Sequence, residues 1–258
     1  MADSVIIGNL RHEKLLKAVN ESGYVSVEDL AELLDVSAQT IRRDIKKLSE
    51  LKLLVRHHGG AGRNASVVSS SYMPQGASDT DEKEAIGAAI ADYIPNNCSV
   101  FLTIGSTTEV IAKHLLKREG LRVITNSLRV ANVLYQKADF NVMVPGGKLR
   151  STNSGIVGTT ALDFVSRFRV DYLITSCGSI EADGTMLDYD FNEVVVVQSM
   201  MKTARNILLA VDSSKYQTRA AVEVGHLKDV TALFTDQAPP PDIAAHLHQH
   251  DVKLKLVS

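Results

Sequence analysis

Tryptophan is absent from this 258-residue chain, and cysteine occurs only at Cys98 and Cys177, neither within a CxxC pair. A disulfide scaffold therefore has no support, and both thiols are expected to be reduced, buried and inert. No stretch approaches the roughly 20 apolar residues that span a bilayer. The leading MADSVIIGNLRHEK also lacks an apolar signal core, so a cytoplasmic chain without a membrane partner is expected. Charge of one sign is not in excess: 28 basic against 30 acidic side chains leave a formal charge of −2, which argues against coating nucleic acid by bulk electrostatics. HExxH, GxSxG and a complete GxxxxGK[ST] are missing, so no metal and no cofactor is expected. His246, His248 and His250 would share one face of a strand, but HLHQH is expected to follow a helix as a solvated end.

What is present falls into two parts. Leu10, Leu15, Leu16 and Val19 form an apolar stripe at helical spacing that stops at Gly23. Ser26 with Asp29 is a capping-box pattern for a second helix, whose inner face is Leu30, Leu33 and Leu34. Ser37 can cap a third helix from Ala38, with Ile41, Ile45 and Leu48 turned inward and Gln39, Arg42, Arg43, Lys46 and Lys47 largely outward. Between Arg42 and Arg56 six cations face two carboxylates, a local basic surface in a nearly neutral chain. Alternation through Leu53, Val55 and His57, closed by Gly59-Gly60, reads as a wing, and the order suggests a winged helix-turn-helix over residues 1–60.

A helix in the major groove meets base edges near its N-terminal end and phosphates along its flanks. Ser37, Ala38, Gln39, Thr40 and Arg43 stand at that end; Gln suits adenine, Arg suits guanine, and the Ala and Thr methyls suit thymine. Arg42, Lys46 and Lys47 suit phosphates, while Arg56, His57 and His58 on the wing suit backbone or minor groove. The alternatives are a solvated basic helix face or a small protein-interaction domain.

Residues 61–80, with a Ser run, two Gly and one Pro, have linker composition. Thereafter apolar runs alternate with helices to the end of the chain: VFLTI, LRVIT, FNVMV, VDYLITSC, NILLAVD, VTALFTD and VKLKLV. Continuous Val/Ile/Leu runs separated by helices, including one from Phe191 to Arg205, fit a mostly parallel sheet covered on both faces. The expectation is an α/β chain: the winged helix-turn-helix plus a larger C-terminal α/β domain over 81–258. Gly105, Ser106, Thr107 and Thr108 lie between a strand and a helix start, where backbone amides can receive a phosphate. Asn126, after a second strand, and Gly146, Gly147 and Lys148, after a third, add further loops on the side where open α/β sheets bind ligands.

SVEDLAELLDVSAQTIRRDIKKLSELKLLVRHHGGA, residues 26–61, resembles the deoxyribonucleoside-repressor (DeoR) family of bacterial transcriptional regulators, through Ser37, Thr40, Ile41, Arg42, Arg43, Asp44, Leu48, Gly59 and Gly60. The resemblance continues through Glu82-Lys83, GSTTE at 105–109, VITNSLRVAN at 123–132, PGGKLR at 145–150, FRVDY at 168–172, the stretch Asp183–Val194 and DSSKY at 212–216. It implies a C-terminal fold similar to sugar-phosphate isomerases and aminosugar-phosphate deaminases, holding a small phosphorylated polyol or sugar, glycerol 3-phosphate first among them. Carried over, Gly105 to Thr108 form the phosphate cradle, Lys215 is a further anion contact, and Asp183 and Glu193 meet ligand hydroxyls. Asp44 in this pattern is expected to orient neighbouring basic residues.

Some positions depart from the family: Thr103 stands where Asp is common, Ser127 follows Asn126, and Val194 to Val197 are apolar where the helix is often basic. The expected function is operator binding by a homodimer or homotetramer, because one reader of this size touches little DNA, with release by the phosphorylated effector. Two alternatives stay open. One is a sugar-phosphate isomerase or deaminase with a DNA-binding appendage, using Asp183, Glu193, Lys215 and Asp212; the other is a ligand-insensitive structural DNA-binding protein.

Overall fold

The computed structural model describes residues 10–22, 24–50, 53–57, 59–62 and 81–257, in two compact units, Met1–Ser71 and Tyr72–Ser258. Of the expected linker only Ala61 and Gly62 fall within the described residues; 63–80 lie outside them, as do Gly23, Lys52 and His58.

The first unit runs α1 (Leu10–Ser22), β1 (Tyr24–Ser26), α2 (Val27–Leu33), α3 (Ala38–Glu50), β2 (Val55–His57) and β3 (Gly60–Gly62). Both expected caps form: Ser26 Oγ accepts the Asp29 N–H at 3.0 Å, and Ser37 Oγ accepts the Thr40 N–H at 3.2 Å. Leu15, Val19, Leu30, Ile41, Ile45 and Leu48 close the core from three helices, while Leu33, expected inward, is exposed. The wing is a three-stranded antiparallel sheet in the order β1-β3-β2, to which Tyr24–Ser26, unassigned from sequence, contributes a strand. Gly60 permits this pairing, since a Cβ there would stand 2.5 Å from the Val25 carbonyl oxygen. Gly59, at φ +89°, makes the turn before it.

The second unit opens with α4 (Asp81–Tyr93), β4 (Ser99–Leu102), α5 (Ser106–Leu115), β5 (Arg122–Thr125), α6 (Leu128–Leu134) and β6 (Asn141–Met143). There follow β7 (Lys148–Leu149), β8 (Ile156–Val157), α7 (Thr159–Ser166), β9 (Val170–Thr175), β10 (Ser179–Ile180), β11 (Thr185–Asp188) and α8 (Phe191–Met201). The chain ends with β12 (Ala204–Ala210), β13 (Val222–His226), β14 (Ala232–Thr235), α9 (Pro241–Gln249) and β15 (Lys253–Leu256). Seven strands form one parallel sheet in the order β15-β14-β12-β9-β4-β5-β6. Strand alternation sends Phe101, Leu173 and Leu209 to the face packed by α7, α8 and α9. Val100, Leu102, Ile174 and Leu208 go to the face packed by α4, α5 and α6. Burying the sheet on both faces is why its inner strands read as largely apolar runs, while the edge strand β15, Lys-Leu-Lys-Leu, is exposed.

Two local expectations are corrected. The helix expected to reach Arg205 ends at Met201, because Lys202 and Thr203 turn the chain and Ala204 begins pairing with Val170 in β9. HLHQH does not follow a helix: His246 and His248 lie inside α9. Cys98 and Cys177 are free and buried, and burial pushes the Cys98 thiol up to about 11 and Cys177 higher still, so both are unreactive as thiolates at neutral pH. Val194, Val196 and Val197 of α8 are buried in the core, which accounts for the apolar run there.

Candidate nucleic-acid interface and effector crevice

In the first unit α3 carries the basic row. Gln39, Arg42, Arg43, Lys46 and Lys47 are exposed, and Ala38 and Thr40 are half-buried at the helix start. The Ser37 hydroxyl, 2.9 Å from Thr40 Oγ1, is engaged in the cap. Arg42 lies 3.6 Å from Glu28 and Lys46 3.9 Å from Glu50, exposed pairs that hold these side chains only weakly. Arg56 and His57 are exposed on β2, with the His57 ring edge-on to Tyr24 at 5.8 Å. A cleft of ≈ 380 Å³ separates wing from helix, lined by Val27, Arg42, Ile45, Arg56, His57, Gly59 and Gly60.

Asp44 is the buried exception on this helix. Its partners are not the neighbouring cations of α3 but α1: Arg11 Nε donates to Oδ2 at 2.7 Å, and His12 Nε2 lies 3.0 Å from Oδ1. Burial works against the carboxylate, but the hydrogen bonds from Arg11 and His12, aided by their charges, hold its pKa below the ordinary value. A carboxyl with a depressed folded pKa stabilises the fold above its unfolded pKa and stops doing so as pH falls through the folded value. Asp44→Ala is therefore expected to cost the first unit about 2–3 kcal/mol at pH 7, below the full range for a buried pair because Arg11 is partly solvated. The charge-dependent part of that cost is lost as pH falls through the depressed folded pKa. Amide exchange of α3 in the full chain measures this, and unchanged protection at pH 7 would contradict the clamp.

In the second unit the strand sequence reverses direction between β9 and β4, the switch point beyond whose strand ends open α/β sheets commonly bind ligands. Thr103 Oγ1 and Thr175 Oγ1, 3.1 Å apart, join the two strand ends in a neutral contact. Gly105, at φ +149°, turns the chain into α5, and the Thr108 hydroxyl is directed back to the Thr103 and Gly105 carbonyl oxygens, each at 2.8 Å. The first intrahelical bond runs from Glu109 N–H to Gly105, which leaves the N–H groups of Ser106, Thr107 and Thr108 without intrahelical partners. Ile104 packs against Gly155, where a Cβ would stand 2.3 Å from its Cδ1, so this loop abuts the segment joining β7 and β8.

Asn126, fully buried, accepts the Ile156 N–H at 2.7 Å through its backbone oxygen and donates from Nδ2 to the Ile156 oxygen at 3.3 Å. Its Oδ1 has no hydrogen-bond partner. Gly146 and Gly147 form the turn after β6, with Gly147 close against Val157, and Lys148 is exposed. Arg150, the last residue of PGGKLR, bridges Asp190 at 2.7 Å and Glu193 at 2.5 Å. Asn153 Nδ2 donates to the same Glu193 at 2.7 Å. Burial raises the Glu193 carboxyl, with Asn153 and Arg150 pulling it back. Beside it the Asp188 carboxyl is pushed up to about 6, chiefly by burial, against the Tyr189 N–H that it accepts. Lys215 lies 4.0 Å from Asp212 and feels the charge of Asp188.

Glu193 and Lys215 thus share a polar cluster with Arg150 and Asp188. Asp183 stands elsewhere, at the exposed β10–β11 turn, where it accepts the Thr185 N–H at 2.9 Å and is held below the ordinary carboxylate range mainly by that bond. Arg150, Asn153, Asp188 and Asp190 are the residues that sequence reading left unassigned. The signals available were the second cation of PGGKLR and the acidic LDYD run, neither of which indicates a partner across the fold. The His226, His246 and His250 rings cluster with centroids 5.6–6.3 Å apart. Among the described residues no group of three His, Cys, Asp or Glu side chains is arranged to hold a metal ion, and no helix is long and apolar enough to cross a membrane.

Residues 11–67 match the DeoR-like helix-turn-helix domain and residues 78–237 the DeoR C-terminal sensor domain. The HTH-type transcriptional repressor CsqR of Escherichia coli is 52% identical over 256 residues, covering 99% of this chain and 98% of that protein. The glycerol-3-phosphate regulon repressor of the same organism is 41% identical, covering 95% and 98%. That of Haemophilus influenzae is 42% identical, covering 96% of each. Ribose 5-phosphate isomerase A of Neisseria gonorrhoeae superposes over 53% of each chain at a TM-score of 0.38 and 15% identity, a likeness too slight to build on. The fold class rests instead on the strand order.

Proposed function

This chain belongs to the DeoR family of DNA-binding transcriptional repressors, and on that premise we propose that a small phosphorylated polyol or sugar, in the first instance glycerol 3-phosphate, binds the second unit and releases operator DNA from the first. The observation that carries the DNA-binding half is the exposed row Gln39, Arg42, Arg43, Lys46 and Lys47 on a helix pinned from within by Asp44. In this reading Ala38, Gln39, Thr40 and Arg43 meet base edges, and Arg42, Lys46 and Lys47 meet phosphates. Arg56 and His57 flank the groove from the wing, and Ser37 holds the helix start. Two or four copies acting from the cytoplasm on paired half-sites supply the affinity that one small reader lacks.

Within the effector unit the phosphate lies on the free amides of Ser106 to Thr108, with Gly105 leaving room for it. Asn126, Glu193 and Asp188 take hydroxyls, Lys215 adds a cation, and Gly146, Gly147 and Lys148 border the mouth. The ligand releases DNA only to the extent that it binds the low-affinity form more tightly. Thr107→Glu places a negative charge in the cradle and is expected to abolish release by sn-glycerol 3-phosphate while leaving ligand-free operator binding intact. Because Thr107 is buried, Ser106→Asp at a half-buried position repeats the test without burying a charge. Undiminished release in both variants, followed by operator mobility shift, would reject the cradle.

One observation favours a second reading, an isomerase or deaminase: a buried carboxyl raised to about 6, Asp188, lies within reach of the charges of Glu193 and Lys215. Turnover of a phosphorylated aldose or aminosugar, lost in Asp188→Asn, would favour that enzyme over the regulator.

A further inference from the structure

The cleft of ≈ 380 Å³ in the first unit gathers cationic side chains from two elements: Arg42 of α3 on one wall, Arg56 and His57 of β2 on the other. Its floor is apolar and closed, with Val27 and Ile45 both buried. On the wing side Gly59 and Gly60 present bare backbone, and the Gly59 carbonyl oxygen accepts the Val27 N–H at 2.8 Å, which ties the turn to the start of α2. None of the described lining residues is acidic. Two guanidinium groups facing one slot repel each other across it, and an anion that enters relieves the repulsion while accepting from both. A phosphodiester fits this demand, since it carries one charge and offers two unesterified oxygens, one to each fork.

Arg42 has a rival partner. Glu28, in the first turn of α2, stands 3.6 Å from its guanidinium, both side chains being more than half exposed. Such a pair is weak, but a phosphate that takes Arg42 must first displace the carboxylate. Lys46 differs, because its pair with Glu50 lies along its own helix and faces no second cation across a cleft.

We propose that this cleft clamps a single phosphodiester group of duplex DNA between Arg42 and Arg56, and that Glu28 attenuates the clamp by competing for Arg42. The proposal rests on the DNA-binding reading above and adds to it the seat of one phosphate and the residue that limits its hold. His57, an N–H donor kept edge-on to Tyr24, stands beside the same slot. Because Glu28 acts on a backbone contact, it lowers affinity for preferred and random duplex alike, which keeps the complex weak enough to be released.

Fluorescence anisotropy of the full chain on a duplex of mixed sequence, at several chloride concentrations, tests the clamp. The double variant Arg42→Gln with Arg56→Gln is expected to lower the slope of log K against log salt by about one per DNA-binding unit engaged, the loss of one phosphate, and each single variant by less. Arg42→Lys with Arg56→Lys, which keeps both charges, should restore the slope. All three positions are exposed, so melting of the variants should match the unsubstituted chain. A fall of about two per unit in the Gln pair means two separate phosphates and overturns the shared clamp. An unchanged slope in that pair, with Lys46→Ala still lowering it by about one, removes the cleft from the interface and spares α3. Glu28→Gln should tighten binding about 2–5-fold in the unsubstituted chain and leave it unchanged in Arg42→Gln; equal tightening in both backgrounds overturns the competition. Inorganic phosphate at matched ionic strength should displace the duplex no better than chloride, and stronger displacement would mean that the cleft holds free anions instead. Absence of duplex binding by the unsubstituted chain overturns the clamp and the DNA-binding reading together.

Discussion

Arg43→Ala is expected to weaken binding to a preferred operator by about 10–100-fold per half-site, because a bidentate arginine–guanine contact is worth about 1–3 kcal/mol of discrimination. Binding to random duplex should fall far less, so the ratio between the two narrows. Lys46→Ala is the counterpart. As a phosphate contact it should weaken specific and random binding by similar factors and lower the slope of log K against log salt by about one. The contrast depends on position along α3: Arg43 lies in its second turn, near the end that enters the groove, and Lys46 further along the same exposed face. Fluorescence anisotropy at several salt concentrations separates the two, and unchanged isotherms for both variants would remove α3 from the interface.

Asp188→Asn should make the effector unit more stable at pH 8 by about 2 kcal/mol, and at pH 4 should make no difference. Burial, opposed by the Tyr189 N–H and reinforced by the charge of Glu193, raises the Asp188 carboxyl to about 6. Its folded pKa therefore lies above the ordinary value of about 3.9, and the stabilising form is the protonated one. That stability is fully present below about pH 4 and is lost as pH rises through 6; asparagine keeps the neutral form throughout. The substituted amide retains an oxygen for the Tyr189 N–H, so the local turn has no reason to change. The same substitution should impair release by the effector, since a site that tolerates an unfavourable carboxylate is being held for binding. Urea unfolding from pH 4 to pH 8 decides the first point, and a variant destabilised equally at both ends would contradict it.

Local chemistry made much of this fold legible. Ser26 and Ser37 announce helix starts because a side-chain oxygen near an unpaired amide is a contact between close neighbours in sequence. The central strands β4, β5, β9, β12 and β14 are legible because burial on both faces leaves mostly apolar residues in them. The short strands β7, β8, β10, β11 and β13 were not, since two to five mixed residues carry no periodicity and their pairing depends on distant segments. The same limit applied to the site. The glycine turn at Gly105 and the cations of PGGKLR are visible in order, yet the bridge from Arg150 to Glu193 spans 43 residues and no spacing rule announces it. Asp183 shows the converse, a carboxylate in the right stretch whose side chain is spent on its own turn.

The central claim is that one chain reads a paired DNA site and surrenders it to a phosphorylated polyol. Selection of a random duplex library by the full-length protein at fixed salt, with and without sn-glycerol 3-phosphate, tests it most directly. Enrichment of one paired site in the ligand-free arm alone is the predicted result. Enrichment of the same site in both arms would contradict the effector, and absence of any enriched site would contradict the claim as a whole.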